Sequence, residues 1–523
     1  MRRGEAKGSR GANRSSLWSW KSSYIGYGLV VGFVLMLLYL MVSAQFSSSP
    51  NAYLGGPAKI SQTESISSAR HQENHAGQED GNRENEEPYN EEVARTHTEP
   101  STGQCQGNER NSDITEERHQ SKRKDNLGGG TGDFHNVANT KPICDTSFGK
   151  YDICVLDGDA RAQGGTAATV TLVSPHAAPQ EWKIKPYSRK YLDGLKAVTV
   201  KSVTNPEDAP QCTTRLNVPA IVIELGGLTG NYWHDFTDVL IPLFIGASRF
   251  SGEVQLVVVN LLPFWVDKYR KIFSQISRYE IIDLDKDHGV VRCYPHVVVG
   301  YGSRKEFTID PSLDDTGGGY TMLNFTEFLR HSYSLPRDRP IKLNAIGPPG
   351  LARPRPRMMI LERTNSRKFM NLPEVVAAAE AVGFEVTVAG RPMASFDEFA
   401  REVNSFDVML GVHGAGLTNC LFLPTGAVLV QIVPYGRLEN IAQTDFGDPA
   451  QDMGLRYIQY SIAADESSLM DVFGKDHPMI KDPIAVHMSG WGNVAEWYLG
   501  KQDVRVNIDR FRPAVTQALE YLQ

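Results

Sequence analysis

The feature that most limits what this chain can become is an uncharged apolar run near its start. From Ile25 to Ala44 the sequence reads IGYGLVVGFVLMLLYLMVSA, and no charged residue lies between Lys21 and Lys59. A helix of about 20 apolar residues spans the ~30 Å hydrocarbon core of a bilayer. A cleaved signal peptide has a shorter apolar region of about 7–15 residues and ends in a small-x-small site. Val42-Ser43-Ala44 matches that pattern poorly. A buried globular helix would need apolar partners, and polar sequence follows instead. Arg2, Arg3, Lys7, Arg10, Arg14 and Lys21 precede the run, opposed only by Glu5. The positive-inside rule therefore predicts a cytosolic tail over 1–24, a signal anchor over 25–46, and a lumenal remainder.

The lumenal assignment gives the cysteines a meaning. All six, Cys105, Cys144, Cys154, Cys212, Cys293 and Cys420, fall after the anchor, where disulfides persist. Cys144 and Cys154 are near enough in sequence to close a small loop and are the favoured pair. No CxxC occurs, which argues against a cysteine zinc site. Asn324-Phe325-Thr326 is an N-glycosylation sequon. A net charge of −7 over 523 residues gives no reason to expect nucleic-acid binding.

Residues 47–141 are rich in Ser, Asn, Glu, Gln, Gly and Thr, with sparse apolar residues. Such a segment buries too little apolar surface to offset its ordering entropy and reads as a disordered stem. The roughly 380 residues that remain exceed what one core usually serves, so two domains are expected. The proline-rich stretch 336–356 is the natural link, which gives domains over 142–340 and 341–523. In the second, strand signals at 358–361, 384–388, 406–410 and 428–433 alternate with helix signals at 372–382, capped by Asn371, and 395–403, capped by Ser395. That alternation predicts a parallel, doubly wound sheet. The first domain shows strands at 219–224 and 254–260 with helices at 232–247 and 264–276, and a β-rich stretch of unclear topology over 151–203. The expected fold class is α/β, two Rossmann-like domains facing a cleft, with ligands at the carboxyl ends of the strands.

Three motifs can carry chemistry. Gly411-Val412-His413-Gly414-Ala415-Gly416-Leu417-Thr418-Asn419 follows a strand and opens a helix, so its amides can meet a phosphate. It also matches the oxyanion loop of esterases, but no G-x-S-x-G nucleophile turn accompanies it, which argues against a serine hydrolase. Glu362-Arg363-Thr364-Asn365-Ser366-Arg367 offers two guanidinium forks suited to a diphosphate. Asn231-Tyr232-Trp233-His234-Asp235-Phe236-Thr237-Asp238 places His234 and Asp238 on one helical face, a histidine and a carboxylate fit for general-base work. Two D-x-D triplets, Asp157-Gly158-Asp159 and Asp283-Leu284-Asp285, are short and common by chance. Metal-independent chemistry is expected, with Mn²⁺ the alternative.

Together these motifs resemble glycosyltransferase family 61, and within it the grass branch that modifies xylan. The resemblance covers roughly residues 142–523, together with the anchor-and-stem layout. It implies a GT-B fold, Golgi residence as a type II membrane protein, a UDP-pentose donor, a xylan or xylo-oligosaccharide acceptor, and inversion at the anomeric carbon. Carried over by motif, Arg363, Arg367 and His413, Gly414, Ala415, Gly416 and Leu417 would bind the nucleotide sugar. Asn231, His234, Asp235 and Asp238 would stand on the acceptor side, with Asp238 as the base. Association with other Golgi glycosyltransferases is a further expectation. Arabinofuranose is the favoured sugar, with xylose in β-1,2 linkage the alternative. A non-catalytic lumenal scaffold is the rival of another class, and it would not need arginines paired with a glycine loop.

Overall fold

The computed structural model describes residues 143–523 except 303, 314–317, 345–353 and 390–394. The expected tail, anchor and stem lie outside the described residues. Among the described residues no helix is long and apolar enough to cross a membrane.

The chain forms a mixed α/β fold with two sheets. The first contains β1 (Cys144–Asp145), β2 (Ile153–Gln163), β3 (Thr169–Val173), β4 (Gln180–Ile184), β5 (Val198–Val203), β6 (Thr214–Arg215), β7 (Ala220–Glu224), β8 (Gln255–Val259), β9 (Ile282–Asp283) and β10 (Val291–Val299). The second contains β11 (Arg357–Leu361), β12 (Glu385–Ala389), β13 (Val408–Val412), β14 (Val428–Val433) and β15 (Arg456–Ser461).

The second sheet runs β12-β11-β13-β14-β15, and every pairing is parallel. All residues of β13 and β14 are buried, as expected of parallel strands covered on both faces. Helix Leu372–Val382 has the bounds expected from sequence. Helix Phe396–Asn404 is capped by Ser395, whose side chain accepts from the Glu398 amide. Asn371 differs from expectation. Its side chain makes no capping bond and instead reaches Val506, accepting from its amide and donating to its carbonyl. That bond fixes the strand-like segment before the last helix, Ile508–Glu520, whose Phe511 and Val515 share a core with Val375 and Ala379.

The first sheet is not a second copy of this pattern. Its order is β4-β5-β3-β2-β10-β7-β8-β9. β7, β8 and β9, with β10 beside β7, form a continuous parallel unit, and β3–β5 and β6–β10 are further parallel pairs. β2 runs antiparallel to both β3 and β10. The connection from β2 to β3 is too short for a crossover helix, which forces the antiparallel return. Disulfides join Cys144 to Cys154 and Cys212 to Cys293.

An apolar core joins the two sheets. Phe236 from the first half meets Phe325 and Phe422 edge to face at 6.3 and 6.4 Å. The helix carrying Phe236 is irregular. Asp235–Leu240 is a π-helical turn between Tyr232–His234 and Ile241–Ser248. Pro242 has no amide to offer the Asp238 carbonyl, and the Ser188 hydroxyl donates to it at 2.5 Å. Such bulges commonly reshape functional segments.

Candidate active site

The three motifs meet where the carboxyl ends of β7, β11 and β13 approach one another. Tyr232 of the first half donates its hydroxyl to Asn419 Oδ1 of the glycine loop at 2.8 Å. Asn419 in turn donates to the Gly416 carbonyl. The Trp233 indole donates to the Asp445 carbonyl at 3.4 Å.

On the second half, Gly414 is the pivot. It has φ +142°, and a Cβ there would lie 2.6 Å from Arg363 Nη1 and 3.0 Å from Arg367 Nη1. Only glycine lets both guanidinium groups close around the loop. Arg367 itself has φ +56°, is buried, and donates to the His413 carbonyl at 3.1 Å. Such backbone strain in a non-glycine residue persists only where surrounding contacts enforce it. His413 is buried, and its Nδ1 lies 2.7 Å from Gln431 Nε2. The amide must donate, so Nδ1 accepts and Nε2 carries the proton, facing Asp445 Oδ2 at 3.9 Å. Tyr457 fixes the amide by donating to Gln431 Oε1. Burial, then Arg367 and Arg363, push the His413 ring down to about 3, so it is neutral at physiological pH. The loop continues as a 3₁₀ helix, Ala415–Phe422, rather than an α-helix. Leu417 departs from expectation. Its side chain is buried in the core against Gly411, and its amide is used by the Gly414 carbonyl, so neither is offered to a ligand.

On the first half, Asp238 is wholly buried and bound on every side. Arg189 Nε bonds both carboxylate oxygens at 2.9 Å, Tyr187 donates at 3.0 Å, and His234 Nδ1 lies 2.9 Å away. Arg189 also holds Glu306 at 2.6 Å, which Lys150 holds too. Burial opposes ionisation of Asp238, but Arg189 and then His234 outweigh it and keep the carboxyl well below the usual carboxylate range. A carboxylate so deeply ionised and enclosed is a poor proton acceptor and cannot meet a substrate hydroxyl. This corrects the expectation that Asp238 is the base. His234, partly exposed, presents Nε2 instead. Tyr187 also packs under Gly227 and accepts the Leu228 amide, which ties the glycine turn to Asp238.

Asp235 and Asn231 are also placed differently from expectation. Asp235 is buried and accepts from the Gly230 amide, Trp265 Nε1 and the Tyr269 hydroxyl, each at 2.7 Å. It positions the turn and does not face an acceptor. Asn231 caps the helix by accepting from the Trp233 amide. Asn324 is exposed in the first turn of helix Met322–Tyr333, while Thr326 of the same sequon is buried.

The D-x-D triplets are committed elsewhere. Asp157 pairs with His296 and Asp159 with Arg161. Asp283 pairs with Lys286 and Asp285 with Lys196. Among the described residues, one group has metal-ligand spacing: Asp159, Cys212 and Cys293. Its two sulfurs form a disulfide and are not available as thiolates.

Sequence reasoning missed Arg189, Glu306, Gln431 and Asp445. Gln431 had a signal, a lone amide inside the apolar strand Val-Leu-Val-Gln-Ile-Val. The others sit in segments without a motif.

The family profile described as Glycosyltransferase 61 matches residues 232–430. Two alpha-1,3-arabinosyltransferases of Oryza sativa subsp. japonica are 44% and 43% identical over 73% of this chain. This chain spans 66% and 65% of their lengths. A beta-1,2-xylosyltransferase of the same organism is 41% identical over 73% of this chain and 84% of its own length. With motifs, site geometry and likeness over most of the described residues in agreement, the chain belongs to glycosyltransferase family 61.

Proposed function

We propose that this protein transfers a pentose from a UDP-sugar to xylan, with inversion, and that arabinofuranose is the sugar. The observation that carries this reading is the placement of two guanidinium groups around Gly414 beside a histidine–carboxylate pair, His234–Asp238, linked by the Tyr232–Asn419 bond. The two sheets that meet at this site support a GT-B arrangement, with donor groups on the second half and acceptor groups on the first. The basic flank of the apolar run 25–46 supports a type II orientation in the Golgi membrane.

The mechanism follows from charge. Ionised Asp238 holds the His234 Nδ1 proton and leaves the Nε2 lone pair for a xylose hydroxyl. His234 takes that proton as the hydroxyl oxygen bonds to the anomeric carbon and the bond from that carbon to UDP breaks. The developing imidazolium is stabilised by Asp238, which itself stays ionised. Arg363, Arg367 and the His413 Nε2–H stabilise the negative charge leaving on UDP. No metal is needed for this division of labour.

The test is an assay of the full-length protein with xylo-oligosaccharides, UDP-arabinofuranose or UDP-xylose, with and without EDTA. Arabinosylated product with EDTA present is expected. The likeness to a beta-1,2-xylosyltransferase favours one second reading, in which UDP-xylose is the donor and xylose is found in the product. Failure to bind UDP would remove both readings.

A further inference from the structure

Asp445 belongs to no motif, yet it stands between the two halves of the site. It lies on a π-helical turn, Gln443–Gly447, whose Asp445 carbonyl accepts the Trp233 indole of the first half. Its carboxyl is 3.9 Å from His413 Nε2 and only partly exposed, at 18%. Among the described residues that carboxyl accepts no hydrogen bond, unlike Asp235, Asp238 and Glu306. We propose that Asp445 is a further sugar-contacting residue, whose carboxyl group hydrogen-bonds a hydroxyl of the donor pentose between the diphosphate cradle and the His234–Asp238 pair. This rests on the nucleotide-sugar reading above.

The electrostatics suit the task. The charged and titratable groups around Asp445 are Glu306 and Arg189 across the site and His413 from the glycine loop. Asp448, farther along the same helical run, is exposed and taken by Gln443. Arg189 and Lys150 already balance Asp238 and Glu306, so a third negative charge has no cation of its own. Burial first, and then Glu306, push the Asp445 carboxyl up to about 8. At neutral pH it is an uncharged acid that both donates and accepts. A neutral acid can sit beside a diphosphate, whereas a carboxylate would repel it. Bound diphosphate raises its proton affinity further, because like charges disfavour ionisation. Affinity for the donor should therefore fall as pH rises through about 8.

The experiment is calorimetric titration of the full-length protein and its Asp445→Ala and Asp445→Asn variants with UDP and with UDP-pentose, from pH 6.5 to 9. At pH 7, Asp445→Ala should keep UDP binding near the wild-type value and weaken UDP-pentose about tenfold, the scale of one good hydrogen bond. Asp445→Asn should restore most of that affinity and lose the alkaline decline. Equal UDP-pentose affinity in Asp445→Ala and wild type would overturn the proposal. So would superimposable pH profiles for wild type and Asp445→Asn, a comparison that holds even if the alanine variant misfolds. Wild-type protein that binds no UDP would overturn the nucleotide-sugar reading itself, a result distinct from normal UDP binding with an unaffected variant.

Discussion

Two histidines stand at this site, and their surroundings are opposite. His234 has an ionised carboxylate behind it, Asp238 at 2.9 Å, and a partly exposed second nitrogen. His413 has an amide behind it, Gln431 at 2.7 Å, and two guanidinium groups nearby. A carboxylate stabilises the imidazolium that proton uptake creates. An amide cannot change charge and only fixes the tautomer. On the mechanism proposed above, the same side chain accepts a proton on one half and is held as a neutral donor on the other. The partner, not the histidine, decides the role.

The largest expected effect is at Arg189, which backs the carboxylate behind His234. Arg189→Ala leaves Asp238 and Glu306 buried with one cation fewer, a loss of about 3–5 kcal/mol in unfolding free energy by denaturant titration. Adding Asp238→Leu should recover part of that loss by removing the stranded charge. An unchanged midpoint in the single variant would show that Arg189 does not balance these carboxylates. Next in size, His234→Ala should lower kcat by about 10²–10⁴ while UDP affinity, read by calorimetry, stays put. Near-normal turnover would return the base assignment to another group. The smallest effect is expected at Gln431. Gln431→Leu removes two hydrogen bonds, that from Tyr457 and that to His413, and the loss of the second, worth about 1 kcal/mol, frees the His413 tautomer, so UDP should bind roughly fivefold more weakly with little change in kcat. A larger fall in kcat than in affinity would mean that His413 acts on the reacting atoms.

The two halves were unequally legible in the sequence. Four strands of the second sheet followed from alternating strand and helix signals, and β14 has the expected bounds, Val428–Val433; β15, Arg456–Ser461, was not expected, because its Arg-Tyr-Ile-Gln-Tyr-Ser sequence is half polar and lies at the sheet edge. The first sheet did not follow, because β2, which turns locally into β3, also pairs with β10 through contacts more than a hundred residues apart, as between Val155 and Val298. The site shows the same limit. Local spacing put His234 and Asp238 on one helical face, and the glycine loop beside the arginines is read from strand order. Spacing could not reveal that Arg189 arrives from another segment to occupy both oxygens of Asp238, or that Asp235 turns inward to Trp265 and Tyr269. Which of two nearby carboxylates is enclosed is a property of packing, and packing is not periodic.

The two disulfides add a last consequence. One fastens β1 to β2 and the other fastens the segment before β6 to β10, so both cross-link the first sheet, while Cys420 of the second half is a buried thiol. Among the described residues, disulfide formation therefore concerns one half of the molecule. A thiol reductant acts on the strands that frame His234, and the parallel sheet that carries Arg363 and His413 has no bond for it to cut among the described residues. The halves of one site thus depend on the redox state of their compartment to different degrees.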